Sequence, residues 1–189
     1  MSVELSGSDN LDEKLEELIE SGLSENEAKD AKREMETKKS RVTILGSHER
    51  IHFLKNIKIA IQPTYHGVIV EDMPHFKYET PRQKVHSFLS SSRFVMVDNC
   101  LPAGQLIELE YCRNSGVITA ILVNKGKPMG SWMSIDFHIH SKDFDLFDYE
   151  KDDIDYLREF VKPVIKWAEN RCIEREKDII DVKKRYGYE

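Results

Sequence analysis

Glu108 lies in a segment whose residue types and spacing could carry chemistry on an electron-poor carbon. Phe94 to Val97 is an apolar run of buried-strand character, which ends in Asp98-Asn99, turns through Pro102 and Gly104, and opens a helix bearing Glu108. In an open α/β sheet, ligands bind outside the carboxyl ends of the strands, where such turns sit. A carboxylate one turn into the following helix points into that crevice, placed to attack a carbon or to stabilise positive charge on it. On a helix Gly104 and Glu108 lie one above the other, with Tyr111 and Cys112 flanking Glu108 on the same face. Glu110 points about 160° away at 3.6 residues per turn, so Glu108 is the carboxylate for the cleft. The plainer reading is an exposed glutamate near a helix N-terminus, where negative charge is favourable in any case.

Two further constellations compete with this one. Gly46-Ser47-His48 follows an apolar run, Val42 to Leu45. A small residue there lets a phosphate or sugar approach the backbone, and the next helix N-terminus favours anions. It is a single glycine, so the G-x-G-x-x-G dinucleotide fingerprint is absent, and an ordinary strand-to-loop glycine is the alternative. Ile135-Asp-Phe-His138-Ile-His140-Ser places two histidines in alternation, which on one strand face can bind a metal. D-x-H-x-H-S resembles the opening motif of PHP-type metallophosphoesterases. That resemblance implies further ligands downstream, and the 49 residues after His140 hold no histidine. An incidental strand end is the favoured reading, and no metal is expected. The chain also lacks C-x-x-C, G-x-S-x-G and Walker A patterns.

The elements that must position these residues can be read from periodicity. Residues 1–10 are polar and are expected to form a disordered tail. Residues 11–40 form a helical hairpin around Ser21-Gly22, with Leu11, Leu15, Leu18 and Ile19 at helical spacing and Ser24 with Glu27 as a capping box. A domain over 41–150 follows, with strands near 42–45, 67–70, 94–97 and 117–123 and a fifth in either Ile135–Ile139 or Phe144–Phe147. Helices fall near 49–61 (stopped by Pro63), from Pro81, and from Gln105 to Asn114 (closed by Gly116), and a polar loop runs from Glu71 to Thr80. Strands with almost no polar alternation, separated by helices, are buried on both faces and parallel. Right-handed crossovers then give an α/β three-layer sandwich with a flavodoxin-like sheet of order 2-1-3-4-5. Residues 151–189 form a C-terminal helix lined by Ile154, Leu157, Phe160, Val161, Val164, Ile165 and Trp167, with Pro163 as a kink or junction.

Composition narrows the classes of function. The chain has 189 residues and a net charge of −6, with basic residues interleaved among acidic ones. That is not the one-sided basic footprint of a nucleic-acid binder. Three cysteines, Cys100, Cys112 and Cys172, argue against a disulfide framework. The start lacks the pattern of a signal peptide, and no apolar run reaches the length of a membrane span. A cytoplasmic setting is expected. The stripe from Ile154 to Trp167 and the length of residues 11–39 suggest a homodimer.

Gly104-Gln-Leu-Ile-Glu108-Leu-Glu-Tyr111-Cys112 resembles the G-x-x-x-E-L-x-Y-A segment of the nucleoside 2-deoxyribosyltransferases. Those enzymes and the related TIR domains share a flavodoxin-like sheet and cleave N-glycosidic bonds with a glutamate at this place. The resemblance spans about residues 41–125, and the central motif is its specific part. It implies that Glu108 is the nucleophile or oxocarbenium stabiliser, that Asp98 or Asn99 holds sugar hydroxyls, and that Gly46 and Ser47 line the pocket floor. It implies a nucleoside, nucleotide or NAD-like substrate and no resident cofactor. Pro102 and Ser92 stand where deoxyribosyltransferases often carry aspartates, and Gln105-Leu106 where TIR domains have Trp-Cys. Two functions therefore stand side by side: an enzyme acting on an N-glycosidic bond, or a non-catalytic nucleotide-sensing or assembly domain of the same fold.

Overall fold

A computed structural model of the chain describes residues 24–70, 80–100, 105–128 and 133–188. The expected tail over 1–10, the first hairpin helix, the loop over 71–79, the turn through Pro102 and Gly104, and Trp132 lie outside the described residues. The chain divides into two compact units, Met1–Lys39 and Ser40–Glu189. Helix α1 (Glu25–Ser40) begins at the expected capping box. The Ser24 amide donates to Glu27 Oε2 at 2.9 Å and the Glu27 amide donates to Ser24 Oγ at 3.5 Å. The Ser24 hydroxyl also donates to Glu27 Oε2, and this bond, with that of the Ser24 amide, holds the Glu27 carboxyl below the usual carboxylate range.

The second unit is built on five parallel strands: β1 (Arg41–Leu45), β2 (His66–Ile69), β3 (Phe94–Asp98), β4 (Thr119–Asn124) and β5 (Phe144–Tyr149). Their order is β2-β1-β3-β4-β5, with Val42 beside Phe94 and Val95 beside Thr119. The fold is thus the expected α/β three-layer sandwich. Between the strands run α2 (Ile51–Ala60), α3 (Pro81–Ser90), α4 (Gln105–Ser115) and α5 (Met133–His140), and α6 (Ile154–Arg185) ends the chain.

The pleat sends successive side chains to opposite faces, and each face has its own core. Val42, Ile44, Phe94, Met96, Ala120 and Leu122 pack with Phe53 and Leu54 of α2 and with Leu157, Val161 and Val164 of α6. Leu45, Val95, Val97, Ile121 and Val123 pack with Leu89 of α3, Leu109 and Cys112 of α4, and Phe137 of α5. Strands β3 and β4 are buried at every position, which is why their sequences show no polar alternation. Thr80 caps α3 through a box with Gln83, and Gly116, at φ 59°, terminates α4 in the left-handed region that suits glycine.

The Ile135–Ile139 alternative for the fifth strand is corrected: it lies in α5, and Phe144–Tyr149 is the strand. Ser134 and Phe137 are buried three residues apart whereas Ile139 is exposed, a helical period that the alternating Ile-x-Phe-x-Ile letters conceal. The histidine motif fails with it. Residues two apart on a helix project about 160° from each other. His138 Nδ1 sits 2.9 Å from Asp145 and His140 Nε2 3.4 Å from Asp136. Among the described residues no group of three or more His, Cys, Asp or Glu side chains could hold a metal, and no helix is long and apolar enough to cross a membrane.

Helix α6 runs unbroken across Pro163, whose ring faces solvent. Its stripe of Leu157, Val161, Val164, Ala168 and Cys172 is buried against the unit's own core. The motive for a homodimer through Ile154–Trp167 is therefore removed. Proline leaves the Glu159 carbonyl without its helical donor and crowds it, at about 3 kcal/mol relative to alanine. Pro163→Ala also frees the unfolded chain, which offsets up to about 1 kcal/mol. We expect a net gain of about 2 kcal/mol, read as a rise of several degrees in melting temperature; an unchanged or lower value would show that the helix has already relaxed around the ring.

Candidate functional site

The carboxyl ends of the strands carry most of the residues singled out by sequence. At the end of β1, Gly46 is buried, and a Cβ built there would stand 2.9 Å from Leu54 Cδ2 and 3.1 Å from Asp98 Cβ. The glycine thus permits close packing of the β1 and β3 ends, and the space a side chain would need is already filled. Ser47 caps the short 3-10 turn His48–Arg50, its Oγ accepting from the Glu49 amide at 3.3 Å.

That turn delivers Arg50 to the rim, where it organises a buried polar network that sequence reasoning missed. Arg50 Nε donates to Asp98 Oδ2 at 3.1 Å, Nη1 to Asp152 Oδ2 at 2.7 Å, and Nη2 to the Tyr149 hydroxyl at 2.6 Å. The Tyr149 hydroxyl donates its proton to Asp98 Oδ1 at 3.1 Å. A phenol has one proton, so the Cys100 thiol, 3.0 Å away, must donate to the Tyr149 oxygen. Cys100 Sγ in turn accepts from the Asn124 amide at 3.2 Å. The Tyr149 ring stacks on Phe53 at 4.6 Å, and the Arg50 guanidinium lies 4.5 Å from the Phe53 centroid.

Electrostatics fix the protonation states. Burial opposes the Arg50 charge, but the bond to Asp152 and the charge of Asp98 outweigh it and raise its pKa. Burial, then the Asp98 charge, pushes the Tyr149 hydroxyl well above its ordinary value. The network is a closed scaffold, and each Asp98 oxygen already accepts a hydrogen bond within it.

Asp98 and Glu108 are sent to different layers. By pleat alternation Asp98 follows Phe94 and Met96 toward α2 and α6, and its partners Tyr149 and Arg50 lie on that side. Glu108 stands in the first turn of α4, half-buried, beside Leu109 and Cys112, which pack on the opposite face. Asn99 lies on the Glu108 side, its Nδ2 donating to Ser134 Oγ of α5 at 2.9 Å. Glu110 points away as expected, 3.8 Å from Arg113 at the surface. Gly104 lies outside the described residues. Across from α4, Arg82 of α3 lies 5.7 Å from the Tyr111 ring centroid. The structure therefore brings Gly46 and Asp98 into contact and turns the side chains of Asn99 and Glu108 to the opposite face of the sheet. Arg50 and Tyr149 gave no sequence signal, because only the sheet order and the turn after β1 carry them to Asp98.

All three cysteines are buried and unpaired. Burial is the leading cause in each case, raising Cys100 to about 11, Cys112 to about 12 and Cys172 to about 11 from 9.0. At Cys112 the nearby Glu108 charge adds to the rise. Because the folded values are raised, the protonated thiols stabilise the fold fully below the ordinary thiol value. That contribution is lost as pH climbs through 11 to 12. We expect a thiol reagent at pH 8 to titrate none of the three until denaturant is added, and the melting temperature to fall as pH rises from 9 toward 11. A thiol that reacts quickly in the native protein would contradict this burial.

No family model matches the chain, and no curated protein matches it. Among solved structures it is similar to a CMP N-glycosidase of Clostridium botulinum, BcmB, at a TM-score of 0.48 and 11% sequence identity, over 62% of this chain and 95% of that one.

Proposed function

We propose that the second unit cleaves, or transfers across, the N-glycosidic bond of a nucleoside, nucleotide or NAD-like molecule, with Glu108 as the reacting or stabilising carboxylate. The observation that carries this reading is the placement of Glu108. It stands half-buried in the first turn of the helix that follows the central strand, at the rim where parallel sheets bind ligands. Loss of the base leaves positive charge on the anomeric carbon. A fixed carboxylate in a partly water-excluded setting stabilises that charge or traps the sugar covalently. The helix start also gathers backbone donors suited to anionic groups of the substrate. In this reading Asn99 is the better placed of the two candidates for a sugar hydroxyl, since Asp98 is committed to Arg50 and Tyr149. Gly46 and Ser47 shape the rim from the β1 side. The buried, unpaired thiols fit a reducing, cytoplasmic setting.

A second reading is favoured by one observation: the aspartate closest to the strand end is consumed by an internal network, as in a domain that binds nucleotides without turnover. The two are separated by incubating the protein with nucleosides, CMP and other nucleotides, and NAD, following release of free base by chromatography and binding by calorimetry. Base release supports the enzyme. Binding without release supports the sensing domain.

A further inference from the structure

We propose that the protruding end of α6 is a self-association element that pairs antiparallel with the same segment of a second copy. From Glu176 to Tyr188 every side chain is exposed. The helix still runs 13 residues beyond Cys172 to Arg185, about 20 Å at 1.5 Å per residue. Its base is anchored: Arg93 bridges Glu169 and Glu176, Arg171 bridges Asp143 and Glu174, and Arg175 donates to the Gly116 carbonyl. The protrusion therefore leaves the core in a fixed direction.

Three of its apolar residues are in register with the buried stripe, and Ile180 is turned about 100° from them. At 100° per residue, Leu157, Val161, Val164, Ala168 and Cys172 occupy one face, and Ile179, Val182 and Tyr186 continue that same face in steps of three and four. The first five are covered by the core, whereas the last three are 49%, 50% and 70% exposed. A stripe of this spacing is the seam of a two-stranded helical pair.

Charge selects the occupant. Glu174, Glu176, Asp178 and Asp181 mix with Arg175, Lys177, Lys183, Lys184 and Arg185, which is unlike the basic face of a membrane-surface helix. The flanks are self-complementary. Antiparallel helices seating Ile179 against Val182 of the partner subunit bring Asp178 against Arg185 of the partner subunit on one flank. The same register sets Lys183 of the partner subunit beside Glu176, whose bridge to Arg93 marks the end of the anchored base. Each contact repeats by twofold symmetry, as an isologous interface requires. In a parallel pair Asp178 would instead face Lys183 of the partner subunit and Arg185 would take no part, so variants at Arg185 read the direction.

The test uses the full-length chain in sedimentation velocity across about 1 to 100 µM, which reads dissociation constants of that order. The wild type is expected to dimerise. Ile179→Glu with Val182→Glu should weaken association at least about a hundredfold, with the melting temperature unchanged because both side chains are exposed in the monomer. Arg185→Asp should weaken it about tenfold, and adding Asp178→Arg should restore it, since the two positions on one helix lie about 10 Å apart and cannot compensate within a chain. A monomeric wild type would overturn the proposal. So would a dimer indifferent to the seam variant, or a double reversal that fails to restore pairing.

Discussion

Replacing Glu108 by Gln is expected to lower the rate of base release by at least about a hundredfold, the equivalent of about 3 kcal/mol of lost transition-state stabilisation. The substitution keeps the shape of the side chain and one acceptor oxygen, and removes its charge. It therefore separates electrostatic or covalent participation from packing beside Leu109 and Cys112. Folding should change little, because the side chain is only half-buried. Glu110→Gln is the internal control, since that carboxylate lies beside Arg113 at the surface. Equal turnover in wild type and both variants would remove Glu108 from the mechanism. A wild type that binds nucleotide and releases no base would establish the sensing reading instead.

Asp98→Ala is expected to destabilise the unit by about 3 kcal/mol. Removing one partner of a buried ion pair leaves the other charge poorly compensated, which costs about 3–5 kcal/mol. Arg50 retains Asp152, whose side chain is 43% exposed, and that places the expected loss at the lower end. The Tyr149 hydroxyl also loses its acceptor, and a stranded buried donor adds to the cost. For a chain of this size the melting temperature should fall by about 6–12 °C. Asp98→Asn keeps an acceptor for Tyr149 and should lie between the alanine variant and the wild type. Asp152→Ala, at a solvent-screened position, should cost under about 1 kcal/mol. A loss below about 1 kcal/mol for Asp98→Ala would mean that the network is not what binds β1, β3 and β5 together at the rim.

The sequence by itself determined the class of fold and the order of the strands. The runs Val42–Leu45, Phe94–Val97 and Val117–Val123 admit no alternation, so they had to be buried on both faces, and parallel pairing with right-handed crossovers left few arrangements. It also determined the helix ends marked by Pro81, Gly116 and the Ser24–Glu27 box, because such signals are local chemistry within four residues. Tertiary structure decided what periodicity left degenerate. Ile135–Ile139 reads equally as strand or helix, and the burial of Ser134 and Phe137 made it a helix, which parted His138 from His140. The stripe of α6 looked like an interface along its length. Only the extent of the sheet showed that the core covers it to Cys172 and leaves Ile179, Val182 and Tyr186 outside. The partners of Asp98 come from the turn after β1 and from the end of β5, 48 and 51 residues away. No local pattern encodes such a meeting. It exists because β1 and β3 are neighbours and the Tyr149 side chain reaches across β4, so the role of Asp98 was settled by topology and not by its place after a strand.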